Sequence, residues 1–476
     1  MKITLFSRNT LQNDLFLGVS EELEKSDFQT DILMPGKGES QNNIIFPEVE
    51  ISNIAESIIF RYKKDFTRLC LTYENLNRII YSERELSYFP RYFGDKAVEP
   101  ELKVLLCTAS FIYFEQYIEK NKPKLIVSEM VTGMLDGAFK EVANRNRINY
   151  IGIRNSKITP GVVLCDNEFD IPFGINEIEE ELNTVDIVKL RSTASQIVSE
   201  HILNNKKPFY MSQSSKPFRL FSFGVFRSIL KLIKKPAKRT KYSIYQHNKF
   251  VNPIREKFIK WRNLQHNFYK DVDLSSIGKF FVYAGHFEPE SSVSVRAYNF
   301  SDQLALVKLI SRLIPPDTLL LVKEHEGNRG FRKKEFYEDV SHLHNVLLVK
   351  PEISLVEIVT KSKGVITLTG RIGLEALLLD IPVISFGKTF WSKCHGVYNV
   401  DSISNLKDYF LCLAQQPHSP LIDKSSIYKL IQAYDRCVYE GTFIHGAPDF
   451  CRKSNHINLS RAICDIYHKI FLVTKK

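Results

Sequence analysis

An α/β chain built on parallel sheets is what the sequence predicts, on three observations. Short runs almost continuous in Leu, Ile and Val recur, as in Leu319–Val322, Val346–Val349, Val365–Leu368 and Val383–Phe386. Helix-period patterns separate them, and polar or glycine-bearing turns follow their carboxyl ends. Strands buried on both faces lose the in/out alternation of exposed sheets, and helical crossovers between them make the sheet parallel. In such sheets ligands sit beyond the carboxyl ends of the strands.

The first half of the chain repeats this logic. Met1–Phe6 and Thr30–Met34 are expected strands, and residues 50–120 carry long helical patterns rich in Tyr, Phe and Arg. Lys124–Ser128 is a further strand ending at Glu129. Leu135, Ala138, Phe139, Val142 and Ala143 then recur at helical spacing, and Tyr150–Ile153 is the next strand. Glu129 therefore falls where a parallel sheet presents its functional groups. A carboxylate there suits acid–base work on an acceptor, although a carboxylate at a helix start also serves as a cap. Arg154–Lys157 follows the next strand end and could line the same cleft. The expected organisation is an acceptor-side α/β domain over 1–183, a basic helical segment over 184–270, a nucleotide-binding α/β domain over 271–424 and terminal helices over 425–476.

Charge is unevenly spread. The net charge is +11, yet between Glu200 and Glu256 no acidic residue occurs while thirteen Lys and Arg do. Within that stretch Phe226, Ile229, Leu230 and Ile233 fall on one helical face. Arg227, Lys231, Lys234, Lys235 and Lys238 cluster on another, and Pro236 limits the helix. An apolar arc beside a basic arc suits an interfacial helix on anionic lipid. A helix packed on its own domain uses the same pattern. No stacking-aromatic motif accompanies the charge, so a nucleic-acid partner is not expected.

The remaining bulk features narrow the class. No apolar run approaches the length of a membrane span. MKITLFSRNTLQND lacks the apolar region and cleavage site of a signal peptide. The eight cysteines (Cys70, Cys107, Cys165, Cys394, Cys412, Cys437, Cys451 and Cys464) are scattered without a CxxC pair, which fits neither a zinc site nor a disulfide framework. A cytoplasmic setting, peripheral to the inner membrane through the basic segment, is expected.

The second half carries the chemistry. In Thr367-Leu368-Thr369-Gly370-Arg371-Ile372-Gly373-Leu374-Glu375 a strand ends, two hydroxyls and a glycine follow, and a helix begins. Free N–H groups there would bind an anion, with Gly370 permitting close approach. Thr367 or Thr369 would donate to a phosphate, Arg371 would neutralise it, and Glu375 would reach ribose hydroxyls. Thr369 as a plain helix cap is the competing reading. Lys323 and His325 leave a neighbouring strand of the same sheet, beside this phosphate-type turn, and His286, Glu288 and Glu290 leave the domain's first strand, Lys279–Ala284. No ligand spacing for a metal is present.

FVYAGHFEPESSVSV, LLLVKEH and GVITLTGRIGLEALLLDIPVISFG together resemble the capsule polysaccharide biosynthesis family. That family includes bacterial capsule Kdo transferases and more distantly resembles GT-B sialyltransferases and UDP-GlcNAc 2-epimerases. LIVSEMVTGMLDGAFKEVANRNRINYIGIRNSKI resembles the N-terminal half of such proteins. The resemblance implies a GT-B-like fold, two Rossmann-like domains facing across a cleft with extra helices. It further implies a glycosyltransferase with a nucleotide-sugar as co-substrate, no separate cofactor and a glycan or glycolipid acceptor. The family's His-Pro motif falls on His325, with Glu326 in place of the proline. Its Ser/Thr–Gly–x–x–Gly–x–Glu motif falls on Thr367, Thr369, Gly370, Gly373 and Glu375. An acidic residue of the N-terminal domain is base or nucleophile in related transferases, and Glu129 is the candidate, with His286 and Glu288 also facing the cleft. A 2-epimerase and a non-catalytic capsule-assembly scaffold are the alternatives.

The basic segment yields a direct expectation. The full chain should float with anionic liposomes and release as salt rises, because the attraction is screened within about 10 Å at 0.1 M salt. Equal binding to neutral vesicles would contradict an electrostatic contact.

Overall fold

The computed structural model describes residues 1–35, 43–82, 100–203, 259–264, 266, 268–288, 290–350, 352–416 and 422–471. Arg227, Lys231, Lys234, Lys235 and Lys238 lie outside the described residues.

Two six-stranded sheets organise the chain. The first contains β1 (Lys2–Phe6), β2 (Gln29–Leu33), β3 (Ile44–Ile45), β4 (Leu125–Glu129), β5 (Asn149–Asn155) and β6 (Val162–Cys165), in the spatial order β3-β2-β1-β4-β5-β6. All its pairings are parallel except that of β6 with β5. The second contains β7 (Lys279–Ala284), β8 (Thr318–Lys323), β9 (Val346–Leu348), β10 (Val365–Thr367), β11 (Val383–Ser385) and β12 (Val397–Asn399), in the order β12-β11-β10-β7-β8-β9. Its pairings are all parallel. Counted from its own first strand, each sheet runs 3-2-1-4-5-6, the order of a dinucleotide-binding fold. The central strands are apolar on both faces because helices cover both.

In the first half the helices are α1 (Asn13–Glu24), α2 (Pro47–Ile58), α3 (Tyr62–Thr72), α4 (Leu76–Ser82), α5 (Pro100–Asn121), α6 (Met134–Arg145), α7 (Ile175–Leu182) and α8 (Ile187–Ile197). Pro100 opens α5, where its missing N–H costs nothing. The ring of Phe114 on α5 stacks on Phe139 of α6, and both meet Phe6 of β1 edge-on, which seats the two helices on one face of the sheet.

The second half adds α9 (Ser291–Ser294), α10 (Gln303–Leu313), α11 (Lys334–Ser341), α12 (Leu355–Lys361), α13 (Ile372–Leu378), α14 (Ile403–Gln415), α15 (Lys424–Arg436) and α16 (Lys453–Phe471). Asp302, Asp423 and Ser402 cap α10, α15 and α14 by accepting backbone N–H groups. On α13, Gly373 lies against the fully buried indole of Trp391; a Cβ there would come within 2.5 Å of the ring.

The chain then returns to its beginning. Helix α15 packs on α7 and α8, and its Leu430, Ile431 and Tyr434 share a core with Leu182, Leu190 and Ala194. Val162 and Tyr439 exchange backbone hydrogen bonds of 2.9 and 2.8 Å, which joins the segment after α15 to β6. Gly161 makes that approach possible: its φ is +136°, and a Cβ would lie 2.5 Å from the Tyr439 carbonyl. Helix α16 then packs on α1, and Leu459, Ile463 and Ile466 close over Leu15, Phe16 and Val19. Among the described residues no helix is long and apolar enough to cross a membrane.

The Trp391 contact predicts the effect of enlarging Gly373. Gly373→Ala should cost about 1–3 kcal/mol of stability by overpacking, read as a lowered midpoint in denaturant titration. An unchanged midpoint would show that Trp391 moves aside freely.

Candidate functional site

In each sheet the strand order reverses between the first and fourth strands, and a crevice opens at their carboxyl ends. Here those strands are β1 with β4 and β7 with β10. In each crevice a side-chain hydrogen bond to a titratable group spans the gap.

In the second sheet the bridge is His286. Its Nε2 accepts from the backbone N–H of Thr369, at 3.2 Å, so the neutral ring carries its proton on Nδ1. That Nδ1 is buried and makes no well-formed hydrogen bond among the described residues, the Ala284 backbone giving the ring only the smallest of the influences on its pKa. Burial holds His286 at about 4, partly opposed by the Glu290 carboxylate. Gln303 fixes the loop, accepting from the His286 N–H and donating to its carbonyl. Arg332 fixes it from the other side: Nη2 donates to the His286 carbonyl at 3.1 Å, Nη1 meets Glu288 at 2.5 Å, and Nε faces Glu324. Glu324 also accepts from the hydroxyls of Tyr269 and Tyr337; burial raises its pKa against those bonds and Arg332.

The glycine turn follows β10. Gly370 donates its N–H to Thr367 Oγ1 at 3.2 Å, and the Thr369 hydroxyl donates to the Ser292 carbonyl. A Cβ at Gly370 would lie 2.9 Å from Thr367 Oγ1 and 3.3 Å from His286 Nε2, so only glycine fits between them. The expectation of free N–H groups at Thr369 and Gly370 is corrected here, because His286 and Thr367 occupy them. Thr369 does not cap α13, which begins after Arg371 without a side-chain cap. Arg371 and Glu375 pair with each other at 3.1 Å, and burial raises the Glu375 pKa against that pairing.

His325 lies one strand further out than the sequence suggests, since β7 separates its strand β8 from β10. Its Nδ1 accepts from the Gly327 N–H at 3.1 Å, which leaves the proton of the neutral ring on Nε2. Burial lowers its pKa, partly opposed by Glu290 and Glu326. Lys323 reaches the carbonyls of Lys350 and Ile353, tying down the turn after β9, and burial lowers it to about 8. Glu288 is engaged with Arg332. Gly373, expected at the donor, packs on Trp391.

In the first sheet the bridge is Gln12, which the sequence does not single out. Its Nε2 donates to Glu129 Oε2 at 2.6 Å. Glu129 does not cap α6: Asp136 does, accepting the N–H groups of Thr132 and Gly133 and pairing with Arg8 at 3.0 Å. At the end of β5 and just beyond it, Arg154 and Lys157 meet the buried Asp170, and Arg296 of the second sheet's domain reaches across to the same carboxylate. Two guanidiniums and one amine share one carboxylate at the junction of the two halves, and burial, reinforced by Arg154, pushes the Lys157 pKa well below the ordinary lysine value. Among the described residues no cluster of three metal-ligating side chains occurs.

Two Rossmann-like sheets, each with polar groups gathered at its switch point, make this a GT-B-like α/β protein. Residues 228–404 match the model of the family described as capsule polysaccharide biosynthesis protein, as the resemblance implied. No curated protein matches the chain. Among solved structures the chain is similar to KpsC of Thermosulfurimonas dismutans, a beta Kdo 2,7 transferase, at 12% identity and a TM-score of 0.36, over 75% of this chain and 89% of that one. It is also similar to UDP-GlcNAc 2-epimerase from Methanocaldococcus jannaschii, at 14% identity and a TM-score of 0.26, over 92% and 100% of the two chains. The epimerase from Neisseria meningitidis bound to UDP-GlcNAc has 15% identity and a TM-score of 0.23, over 98% and 100%. At those scores the likeness reaches no further than the layout of two sheets, which the strand orders establish independently.

The depressed His286 has a pH consequence. Between its folded value of about 4 and the ordinary 6.5, the unfolded chain binds more protons than the folded one. The stability it contributes is therefore complete above pH 6.5 and is lost as pH falls toward 4, by about 3 kcal/mol in all. The melting temperature of wild type should fall more steeply over this window than that of His286→Asn, which cannot titrate. Parallel curves would mean that the folded chain tolerates the imidazolium.

Proposed function

We propose that the chain is a glycosyltransferase moving a sugar from a CMP- or UDP-linked donor to a cell-surface polysaccharide or lipid-linked acceptor. The observation that carries this reading is the pair of switch-point crevices with complementary chemistry. One presents the Glu129 carboxylate, and the other the buried His286 Nδ1–H, which has no well-formed acceptor among the described residues, beside the Thr369–Gly370 turn. The family match over residues 228–404 spans the second crevice and supports it.

A buried N–H without an acceptor costs about 1–3 kcal/mol, which a phosphate oxygen of the donor would recover. Neutral His286 and His325 would each donate to the phosphate as it departs, where charge develops in the transition state. The Arg154 and Arg296 guanidiniums outnumber Asp170 by one, with the Lys157 amine beside them, and suit an anionic group of the donor, a phosphate or a sugar carboxylate. Glu129 takes the proton of the acceptor hydroxyl, or attacks the sugar if stereochemistry is retained. The nucleotide-sugar is co-substrate, and the basic segment between Glu200 and Glu256 holds the enzyme beside an acceptor on an anionic membrane.

The test combines binding and turnover. CMP, CDP and UDP are titrated by thermal shift; a nucleotide at 100 times its Kd should stabilise the fold by about 2.7 kcal/mol. A panel of CMP- and UDP-sugars is then offered with lipid-linked glycan. Glu129→Gln should lower transfer by about 10²–10⁴-fold while keeping the nucleotide-induced shift. Absence of both transfer and donor hydrolysis across the panel would sink the proposal. Interconversion of a free UDP-sugar without acceptor would assign an epimerase instead.

A further inference from the structure

Gln12 is fully buried at the start of α1, and all of its amide is committed. Its Oε1 accepts the backbone N–H of Arg8 at 2.9 Å. A backbone N–H can only donate, so this contact fixes which end of the amide is oxygen. The Nε2 end therefore carries two donors. One goes to Glu129 Oε2, and the other faces His445 Nε2 at 3.3 Å. An amide nitrogen cannot accept, so the imidazole must, which requires a neutral ring with its proton on Nδ1.

His445 lies 433 residues from Gln12 and beyond the stretch that matches the family model. Its position is nevertheless tightly determined. Asn455 ties the surrounding loop into a closed turn: Nδ2 donates to the carbonyls of Thr442 and Phe450, and Oδ1 accepts from the Thr442 N–H. The Phe443 N–H donates to Asn155 Oδ1, fastening the loop to the end of β5. The ring of His445 sits 5.3 Å from Phe450 and 6.1 Å from Phe443. A loop held this firmly against the first crevice places one acceptor opposite the second hydrogen of Gln12.

We propose that His445 and Gln12 are positioning residues for Glu129, and that the C-terminal segment completes the acceptor-side half of the site. This rests on the transferase reading above. The amide bond to Oε2 orients the carboxylate, leaving Oε1 for the acceptor hydroxyl. His445 takes the remaining amide hydrogen. Without it, a buried donor lacks a partner, and the amide loses one of the contacts that hold it against the carboxylate.

The experiment compares His445→Ala and His445→Gln in the full chain with wild type, using the donor that the panel identifies. The glutamine side-chain oxygen can still accept from Gln12. For His445→Ala we expect kcat for transfer to fall roughly tenfold to a hundredfold, less than the ~10²–10⁴-fold of losing the base itself. Donor KM and the nucleotide-induced thermal shift should stay at wild-type values, and His445→Gln should recover kcat to within a few-fold. Wild-type kcat in His445→Ala overturns the inference. So does a fall in kcat accompanied by an equal loss of melting temperature and nucleotide shift, or one that His445→Gln does not relieve. Wild-type turnover with an unaffected His445→Ala removes this inference alone, whereas a wild type without transfer removes the reading and the inference together.

Discussion

Either side of a switch point in a doubly wound sheet, the chain leaves neighbouring strands toward opposite faces, and the gap this opens is the constraint on which the rest of the structure depends. Both sheets of this chain meet it with a hydrogen bond between side chain and neighbour, Gln12 to Glu129 in one and Thr369 to His286 in the other. Each bond fixes the orientation of a titratable group. His286 must be neutral because its Nε2 accepts, and burial reinforces that state. The elements around the crevices serve to hold these bonds: Arg332 and Gln303 brace the loop after β7, while Arg8 and Asp136 brace the turn after β1.

The strands were legible because burial on both faces writes itself into the sequence as unbroken apolar runs. The order of strands was not, since no local signal says which neighbour a parallel strand takes. That is why His325 reads as the partner of the Thr369 turn when the strand beside it carries His286. The glycine turn was recognised, but its N–H groups read as vacant. Whether a backbone donor is already taken depends on a side chain 83 residues away. Glu129 stood out by its place at a strand end. Gln12 and His445 carried no signal of their own, because an amide and a lone histidine acquire meaning only from what the fold sets opposite them.

The junction of the halves shows the same economy of polar groups. Asp170 draws Arg154 and Lys157 from one sheet and Arg296 from the other, so a single buried carboxylate links the ends of strands on both sides. Burying it is tolerable because the two guanidiniums more than match its charge, whereas removing it would leave them facing one another without a counter-ion. Apolar packing of α15 on α7 and α8 supports the same junction from outside.

The return of α16 to α1 also bears on how the chain is made. During synthesis the first sheet emerges early, yet Leu15, Phe16 and Val19 have their cover only when residues 453–471 leave the ribosome. Domains generally fold as units from the N-terminus onward. Here the first one keeps that apolar face open until α16 has been made, and a nascent chain stalled before that point would depend on a holding chaperone to keep its uncovered face from others like it.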